Sequence, residues 1–393
     1  MQRPVHTIAS IPAALTALAG GSALALFLVS LQAPQTAQVD PRLVVGAPGG
    51  PGEALSAQGQ ARFLRGRALF DRNFHRSEGL GTPEMNADSC RACHQDPVMG
   101  GAGALELNVS RFGFDNGGAG PFQNVPGGQA ASKLRPPYVT GREEIPTGAD
   151  VFEQRQTPSI FGAGLISAIP NVSILANEDP DDLDGDGIRG VARRILLNGS
   201  TVAIGRFGWK SQIPTLADFA KDALGGECGI TTPDDGRGFA LLSDSDGVPD
   251  PELTGDQVGD LVFFMSKLAP PRRRGGSVAV GESLFSNIGC DRCHIPTLQG
   301  ADGPVALYSD LLLHDVMPAN FRGMAEPQAG VGMYRTPPLW GIVDTAPYMH
   351  DGRAEDLRGA ILAHFSEGQA AKDAFLALTP ADQDELLRFL EDL

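Results

Sequence analysis

Apolar residues recur at helical spacing in two distant parts of the chain. One stripe is Leu261, Phe264, Met265 and Leu268, and the same spacing returns at Leu386, Phe389, Leu390 and Leu393. Thr254 and Thr379 precede these stripes, and threonine is a common helix N-cap. The pattern predicts two amphipathic helices, each beginning at a threonine, in corresponding parts of a repeated unit.

The N-terminus carries a different apolar pattern. Arg3 and His6 precede the unbroken stretch Ile11–Leu31. A basic start followed by an apolar centre is typical of a secretory signal, and about 20 such residues also suffice to span a bilayer uncleaved. We predict a signal peptide or an N-terminal membrane anchor over residues 1–40. With either, the rest of the protein is exported, which in a bacterium means the periplasm.

Composition narrows the function. The net charge of −16 at pH 7 argues against a nucleic-acid partner, because phosphates need a basic face. The 50 glycines and 30 prolines predict long Gly/Pro-rich loops between the helices.

Four of the five cysteines lie in two copies of Cys-x-x-Cys-His. The copies stand in "DSCRACHQDP" (88–97) and "IGCDRCHIP" (288–296). This spacing is that of c-type haem attachment, in which two thiols bind the porphyrin and the histidine ligates the iron. We predict two covalently bound haem c groups, with the attachment residues Cys90, Cys93, His94, Cys290, Cys293 and His294. A structural zinc site or a redox dithiol would leave the paired histidines unexplained.

The motifs belong to a longer repeat. "GRALF" (66–70) precedes the first copy and "GESLF" (281–285) precedes the second. We therefore predict a mostly α protein with two cytochrome c-like haem domains, residues 55–270 with a large insertion and residues 276–393.

The chain resembles the bacterial di-haem cytochrome c peroxidase and MauG superfamily, and more closely its di-haem oxidoreductase branch, sometimes labelled thiol oxidoreductases. The resemblance runs in order from about residue 57 to the end. It is carried by the segments "TPSIFGAGLISAIP" (157–170), "DPDDLDGDGIRG" (179–190), "IGRFGWKSQIPTL" (204–216), "CGIT" (228–231), "LYSDLLLHDV" (307–316) and "RTPPLWGIVDTAPYMHDGRAEDLRGAILAH" (335–364).

The resemblance implies roles for particular residues. His364 falls where the peroxidases place an axial methionine and MauG a tyrosine, which makes it the expected sixth ligand of the second haem. Met349 is the alternative ligand, and a structural role at a helix end is the alternative for His364. Trp209 and His350 are candidate catalytic residues, because the superfamily commonly has a tryptophan between its haems and His350 lies in a family-like stretch.

One departure from the family bears on activity. Ser167 stands where members often carry glutamate, and a serine hydroxyl cannot do the proton work of a carboxylate. Glu153 and Glu178 are the alternative carboxylates.

An acidic segment predicts a calcium site. Asp182, Asp184 and Asp186 alternate and are followed by Gly187, as in the first half of a calcium loop. The twelfth position is arginine rather than glutamate, so the loop is not a complete EF-hand, and an acidic solvated turn is the alternative.

Together these features predict an exported di-haem peroxidase-like oxidoreductase. Electrons from a small redox protein, a cytochrome or cupredoxin, would pass from the C-terminal haem to the N-terminal haem, where hydrogen peroxide or another oxidant reacts. The alternatives are an electron-transfer cytochrome without substrate chemistry and MauG-like oxidation of a partner protein.

Overall fold

The computed structural model of the chain describes residues 40–81, 87–117, 123, 130–132, 148–197, 199–234 and 236–393. Asp40–Leu393 form one compact unit. The predicted signal or anchor over residues 1–40 lies outside the described residues, apart from Asp40.

Helices dominate the regular structure. They are α1 (Ala57–Asp71), α2 (Ala163–Ser167), α3 (Asn171–Leu175), α4 (Leu216–Ala223), α5 (Gly255–Lys267), α6 (Ala279–Asn287), α7 (Leu357–Leu362), α8 (Gln369–Ala377) and α9 (Pro380–Asp392). Both predicted N-caps are confirmed, because the hydroxyls of Thr254 and Thr379 accept hydrogen bonds from Gln257 N and Asp382 N. Both predicted apolar stripes are buried.

The strands are short and antiparallel. They are β1 (Val109–Gly113), β2 (Ala130–Ser132), β3 (Val151–Arg155), β4 (Arg194–Leu197), β5 (Thr201–Ile204), β6 (Leu298–Gly300), β7 (Gly303–Val305), β8 (Leu313–Asp315) and β9 (Met333–Arg335). β1 lies between β2 and β3 in a three-stranded sheet, with Phe112 opposite Phe152. The remaining strands form the pairs β4–β5, β6–β7 and β8–β9.

Two helix pairs repeat the same contact. α1 packs on α5, and α6 packs on α9. At the first crossing, a Cβ on Gly66 would collide with the carbonyl oxygen of Asp260; at the second, a Cβ on Gly281 would collide with that of Glu385. Glycine is therefore what lets the two backbones of each pair approach so closely.

The same crossings place aromatic rings against the motif histidines. In the first pair, the Phe70 ring lies 5.4 Å from Phe264 and 6.0 Å from His94. In the second, the Phe285 ring lies 5.3 Å from Phe389 and 6.4 Å from His294. The sequence repeat thus corresponds to a repeated three-dimensional unit of glycine, phenylalanine and motif.

Two apolar cores follow from these pairs. One is built around Phe63, Phe70 and Phe264, and it includes Leu307 and Leu312 from the C-terminal part of the chain. The other is built around Phe285 and Phe389. The first core takes residues from before residue 270 and from after residue 276. The predicted division of the chain at residues 270–276 therefore stays a prediction.

A buried carboxylate ties distant segments together. Glu326 pairs with Arg111 on β1 at 2.9 Å and with Arg193 at 2.7 Å, and Arg155 on β3 lies at 3.5 Å. Burial opposes ionisation of Glu326, but the three guanidinium groups outweigh it and hold its pKa at about 2.

Gly66→Ala or Gly281→Ala should lower the free energy of unfolding by about 1–3 kcal/mol, because the added Cβ has no room between the paired helices. Thermal and denaturant unfolding followed by circular dichroism measures the loss. Gly255→Ala is the control, since its Cβ would contact only Pro233 at 3.8 Å. Equal stability of all three variants would contradict the close crossing.

Glu326→Gln should destabilise the protein by about 3–5 kcal/mol, because it leaves buried guanidinium groups without their counter-ion. The folded-state pKa lies below the unfolded one, so the stabilisation is present above the unfolded pKa and is lost as pH falls towards about 2. The difference between wild type and Glu326→Gln, measured by denaturation from pH 7 downwards, should therefore shrink with acidification. A difference independent of pH would rule out the ion pairs as its cause.

Candidate functional site

The second Cys-x-x-Cys-His motif forms a tight turn after α6. Residues Cys290–Arg292 adopt a 3-10 turn, entered through Gly289 at φ 84°. His294 N donates to the carbonyl oxygen of Cys290 at 3.0 Å, which sets the imidazole beside the two thiols. Burial raises the pKa of the Cys290 thiol to about 12, so the sulfur is uncharged, as it is in a thioether.

The His294 ring is oriented by the backbone. Its Nδ1 lies 3.0 Å from the carbonyl oxygen of Tyr308, which places the proton on Nδ1 and leaves the lone pair on Nε2. Burial, together with the charge of His364, lowers the pKa of His294 to about 4. The imidazole is therefore neutral at physiological pH, as a metal ligand must be.

His364 is held in the same way. It follows α7, and its Nδ1 lies 2.8 Å from the carbonyl oxygen of Ala360. Burial is the main cause of its lowered pKa. His294 and His364 line one cavity, so both free Nε2 atoms belong to neutral rings in the same space.

The cavity has a volume of about 470 Å³, large enough to hold most of a porphyrin-sized group. Its walls are largely apolar, with Cys290, Cys293, His294 and His364 among the lining residues. Two thiols, a proximal imidazole and a second imidazole around an apolar cavity fit a covalently bound haem with two protein ligands.

The first motif repeats the local geometry. Residues Cys90–Ala92 form a 3-10 turn, and Nδ1 of His94 lies 3.2 Å from the carbonyl oxygen of Gly101. Burial lowers the pKa of His94 to about 4 and raises those of Cys90 and Cys93 to about 12. These residues suit haem attachment, but they are not among those that line the cavity containing His294.

The candidate residues Trp209 and His350 also line the cavity. The two rings meet edge to face with centroids 6.5 Å apart. Trp209 Nε1 donates to the carbonyl oxygen of Gln156 at 2.8 Å. The tryptophan is thus fixed by the chain segment that leads into Thr157.

His350 is buried at 2 % exposure, and neither ring nitrogen has a hydrogen-bond partner among the described residues, although Asp351 Oδ2 lies 3.9 Å from Nε2. It stacks on Tyr334 with centroids 3.8 Å apart. Burial lowers its pKa to about 4, although the charges of Glu153 and Asp351 oppose the shift. The imidazole is therefore neutral at physiological pH and able to accept a proton.

Tyr334 and the two partners of His314 have no signal in the sequence. Tyr334 lines the cavity, and its hydroxyl donates to Glu153 at 3.0 Å. His314 lies between Asp310 at 2.7 Å and Glu367 at 2.8 Å. Burial disfavours the imidazolium, but these carboxylates outweigh burial and raise the pKa of His314 well above its usual value. Both nitrogens of His314 are therefore engaged and cannot ligate iron.

The residues considered from the sequence for proton transfer do not line the cavity. Ser167 is exposed and does not line the cavity. Glu153 is buried behind Tyr334, and Glu178 pairs with Arg194 at 2.7 Å. Met349, the alternative iron ligand, lines the same cavity as His364.

The acidic segment gathers a different trio from the one expected. Asp179, Asp182 and Asp184 bring carboxylate oxygens within 4.8 Å of one another. Asp186 instead pairs with Arg292 at 3.0 Å. Asp179 takes the place expected for Asp186 because of the turn geometry. Leu183 N donates to the Asp179 carboxylate at 2.9 and 2.8 Å, which holds this carboxylate beside the turn. Calcium at this loop stays a prediction.

Within the described ranges, no helix is long and apolar enough to cross a membrane.

The apolar cavity, its neutral imidazoles and the two Cys-x-x-Cys-His turns are features that suit a haem-dependent redox protein. A model of the di-haem oxidoreductase family (DHOR) matches residues 148–393. This is more than half of the chain and includes the second motif, whereas the first motif lies upstream. The chain belongs to the di-haem oxidoreductase family. The predicted membership of the di-haem oxidoreductase branch is confirmed, as is the prediction of a peroxidase-like oxidoreductase that uses haem.

Solved structures offer further similarities. The diheme peroxidase BthA from Burkholderia thailandensis E264 is 17% identical with a TM-score of 0.41, covering 90% of this chain and 88% of that one. A MauG-like protein associated with microbial copper homeostasis is 17% identical with a TM-score of 0.38, covering 89% and 92%. Hydrazine synthase from Kuenenia stuttgartiensis is 14% identical with a TM-score of 0.39, covering 88% and 95%. No curated protein matches the sequence.

His364→Ala should convert the second haem from low-spin to high-spin, because the variant would remove the predicted sixth ligand. His364→Met should keep it low-spin with a higher midpoint potential, since methionine ligation favours the reduced iron. EPR and optical spectra with a redox titration measure both effects.

His75→Ala is the matched control, because His75 is exposed and does not line the cavity. If the bis-imidazole spectrum survives in His364→Ala, another residue is the ligand.

Proposed function

We propose that the protein is an exported di-haem c-type cytochrome that reduces hydrogen peroxide or a related oxidant. Electrons from a small redox protein enter at the C-terminal haem, held by Cys290, Cys293, His294 and His364. They pass to the N-terminal haem, held by Cys90, Cys93 and His94. The observation that carries the proposal is the pair His294 and His364, two neutral imidazoles with anchored Nδ1 and free Nε2 in one cavity.

The division of labour follows from coordination. Haem iron with two protein ligands transfers electrons, whereas haem iron with an open position also reacts with peroxide. His294 and His364 line one cavity and would both ligate the iron of the C-terminal haem. For His94, the described residues show the proximal side only.

His350 supplies proton transfer in this proposal. Peroxide reduction consumes two electrons and two protons and yields two water molecules, so a group near the reacting oxygen must accept and return a proton. His350 is neutral, and its carbonyl oxygen accepts from Gln156 N at 2.7 Å. The side-chain amide of Gln156 donates to the carbonyl oxygen of Gly103, in the segment that follows the first motif, which links His350 to the N-terminal site. The absence of a carboxylate at position 167 therefore does not leave the site without an acid–base group.

Trp209 supports transfer between the two sites. Its indole donates to the carbonyl oxygen of Gln156, directly after β3, and meets the ring of His350 edge to face. An aromatic ring fixed in an apolar wall offers a path for electrons where direct contact between the cofactors is absent.

The domain organisation and location belong to the same proposal. The repeated crossings at Gly66 and Gly281, with their phenylalanines and motifs, support two cytochrome c-like units. The N-terminal apolar stretch and covalent haem attachment both suit a periplasmic protein, free or anchored.

The decisive experiment titrates the half-reduced holoprotein with hydrogen peroxide and follows both haems by optical and EPR spectra. Stoichiometric consumption of peroxide with loss of a high-spin signal is the expected result. If both haems stay low-spin and reoxidise only slowly, the protein is an electron carrier. Oxidation of an added partner protein in place of water formation would favour the MauG-like alternative.

His350→Gln should reduce the rate of peroxide consumption by about 10²–10⁴-fold, the usual contribution of a general acid–base group. Stopped-flow spectroscopy with the reduced protein measures it. His75→Gln changes an exposed histidine outside the cavity and should leave the rate unchanged. A His350→Gln variant with normal haem spectra and normal rate would show that proton transfer uses another group.

A further inference from the structure

Two buried cations at the cavity have neither a salt bridge nor a full set of hydrogen bonds to the described residues. They are Arg335 at the end of β9 and Lys372 in α8. Arg335 is 8 % exposed and Lys372 is 7 % exposed. Neither forms a salt bridge with a described carboxylate at 4.0 Å or less.

Arg335 is held at the wall beside Trp209. Its backbone N donates to the carbonyl oxygen of Trp209 at 2.8 Å. Its guanidinium donates to the carbonyl oxygens of Gly208 at 3.2 Å and Thr336 at 3.1 Å. Burial lowers the pKa of Arg335 to about 10, although the charge of Asp310 opposes the shift. Two carbonyl contacts leave part of a five-donor group unused.

The ammonium group of Lys372 has fewer polar contacts than the guanidinium of Arg335. Its Nζ lies 3.6 Å from the centre of the Phe365 ring and makes no hydrogen bond within the described structure. Its charge contributes to the lowered pKa of His364, after burial. The ammonium therefore lies near the second axial imidazole.

Other buried cations in this region are compensated. Arg155 and Arg193 share Glu326. Lys210 donates to the carbonyl oxygens of Gly330, Val331 and Met333 at 2.8–3.1 Å. Arg206 also lines the cavity, but its guanidinium covers the carbonyl end of α2. Arg335 and Lys372 differ because Nη2 of Arg335 and Nζ of Lys372 have no hydrogen bond to a described residue.

A buried cation without a salt bridge is unfavourable, so the occupant of the cavity should carry negative charge. We propose that Arg335 and Lys372 bind the two propionate carboxylates of the porphyrin in this cavity. The inference rests on the proposed occupancy of the cavity by a haem. The match is one of charge and number, with two cations for two carboxylates on an otherwise largely apolar ligand.

The two contacts would position the cofactor from the side that the thioether bonds do not reach. They would also place two positive charges near the iron. Positive charge close to the iron favours its reduced state, which carries less positive charge. Arg335 and Lys372 therefore act as positioning residues that raise the midpoint potential of the second haem.

The test compares Arg335→Gln and Lys372→Gln holoproteins with wild type by spectroelectrochemical titration at one fixed pH. Both variants should lower the midpoint potential of the low-spin haem, and the charge-retaining Arg335→Lys and Lys372→Arg should restore most of the loss. Arg358→Gln removes a cation from nearby α7 that does not line the cavity, and its potential should match wild type. Unchanged potentials in both glutamine variants would overturn the proposal.

Resonance Raman spectra give a second readout, because the propionate bending mode responds to hydrogen bonding. The mode should shift in Arg335→Lys, even if Arg335→Gln does not incorporate haem. An unshifted mode in both charge-retaining variants would contradict propionate binding. A further titration with inorganic phosphate separates a bound porphyrin carboxylate from an exchangeable anion: dependence of the wild-type potential on phosphate would assign the cations to the free anion. None of these measurements requires peroxide turnover, so they stay informative if the protein proves to be an electron carrier.

Discussion

The close crossing of two helix pairs is the constraint on which the rest of the structure depends. Gly66 and Gly281 let each pair approach until carbonyl oxygens of the partner helix occupy the space of a side chain. Only at that separation do Phe70 and Phe285 reach both the partner helix and the motif histidine. The backbone contact therefore determines where each imidazole stands, and the loops between the pairs build the walls of the cavity around it.

The imidazoles themselves are prepared by hydrogen bonds and burial acting in the same direction. A backbone carbonyl lies against Nδ1 of His94, His294 and His364, and burial disfavours the imidazolium of each. His314 shows the opposite outcome in the same fold, because two carboxylates accept from its ring. The partners of the ring nitrogens thus determine whether a buried histidine in this fold is neutral or charged.

Buried charges are paired with opposite charges in one part of the protein and lack salt bridges in another. Around Glu326, opposite charges meet and link β1, β3 and the C-terminal segment. At the cavity wall, Arg335 and Lys372 have no such counter-ion within the described residues. A protein interior tolerates charge when something neutralises it, so compensation within the chain indicates structure and its absence at a cavity indicates a ligand.

Local chemistry could be predicted from the sequence. The spacing of Cys90, Cys93 and His94, and its copy at Cys290, depends on a few consecutive residues, and the stripe ending at Leu393 depends on helical periodicity. Contacts between distant segments could not be predicted in this way. The tertiary structure brought Tyr334 against His350 and left that imidazole unpartnered; it also exchanged Asp186 for Asp179 in the acidic cluster and placed Arg335 and Lys372 at one cavity. The reason is physical: covalent spacing and periodicity are properties of a short stretch of chain, whereas burial and charge compensation depend on every segment that folds around a residue.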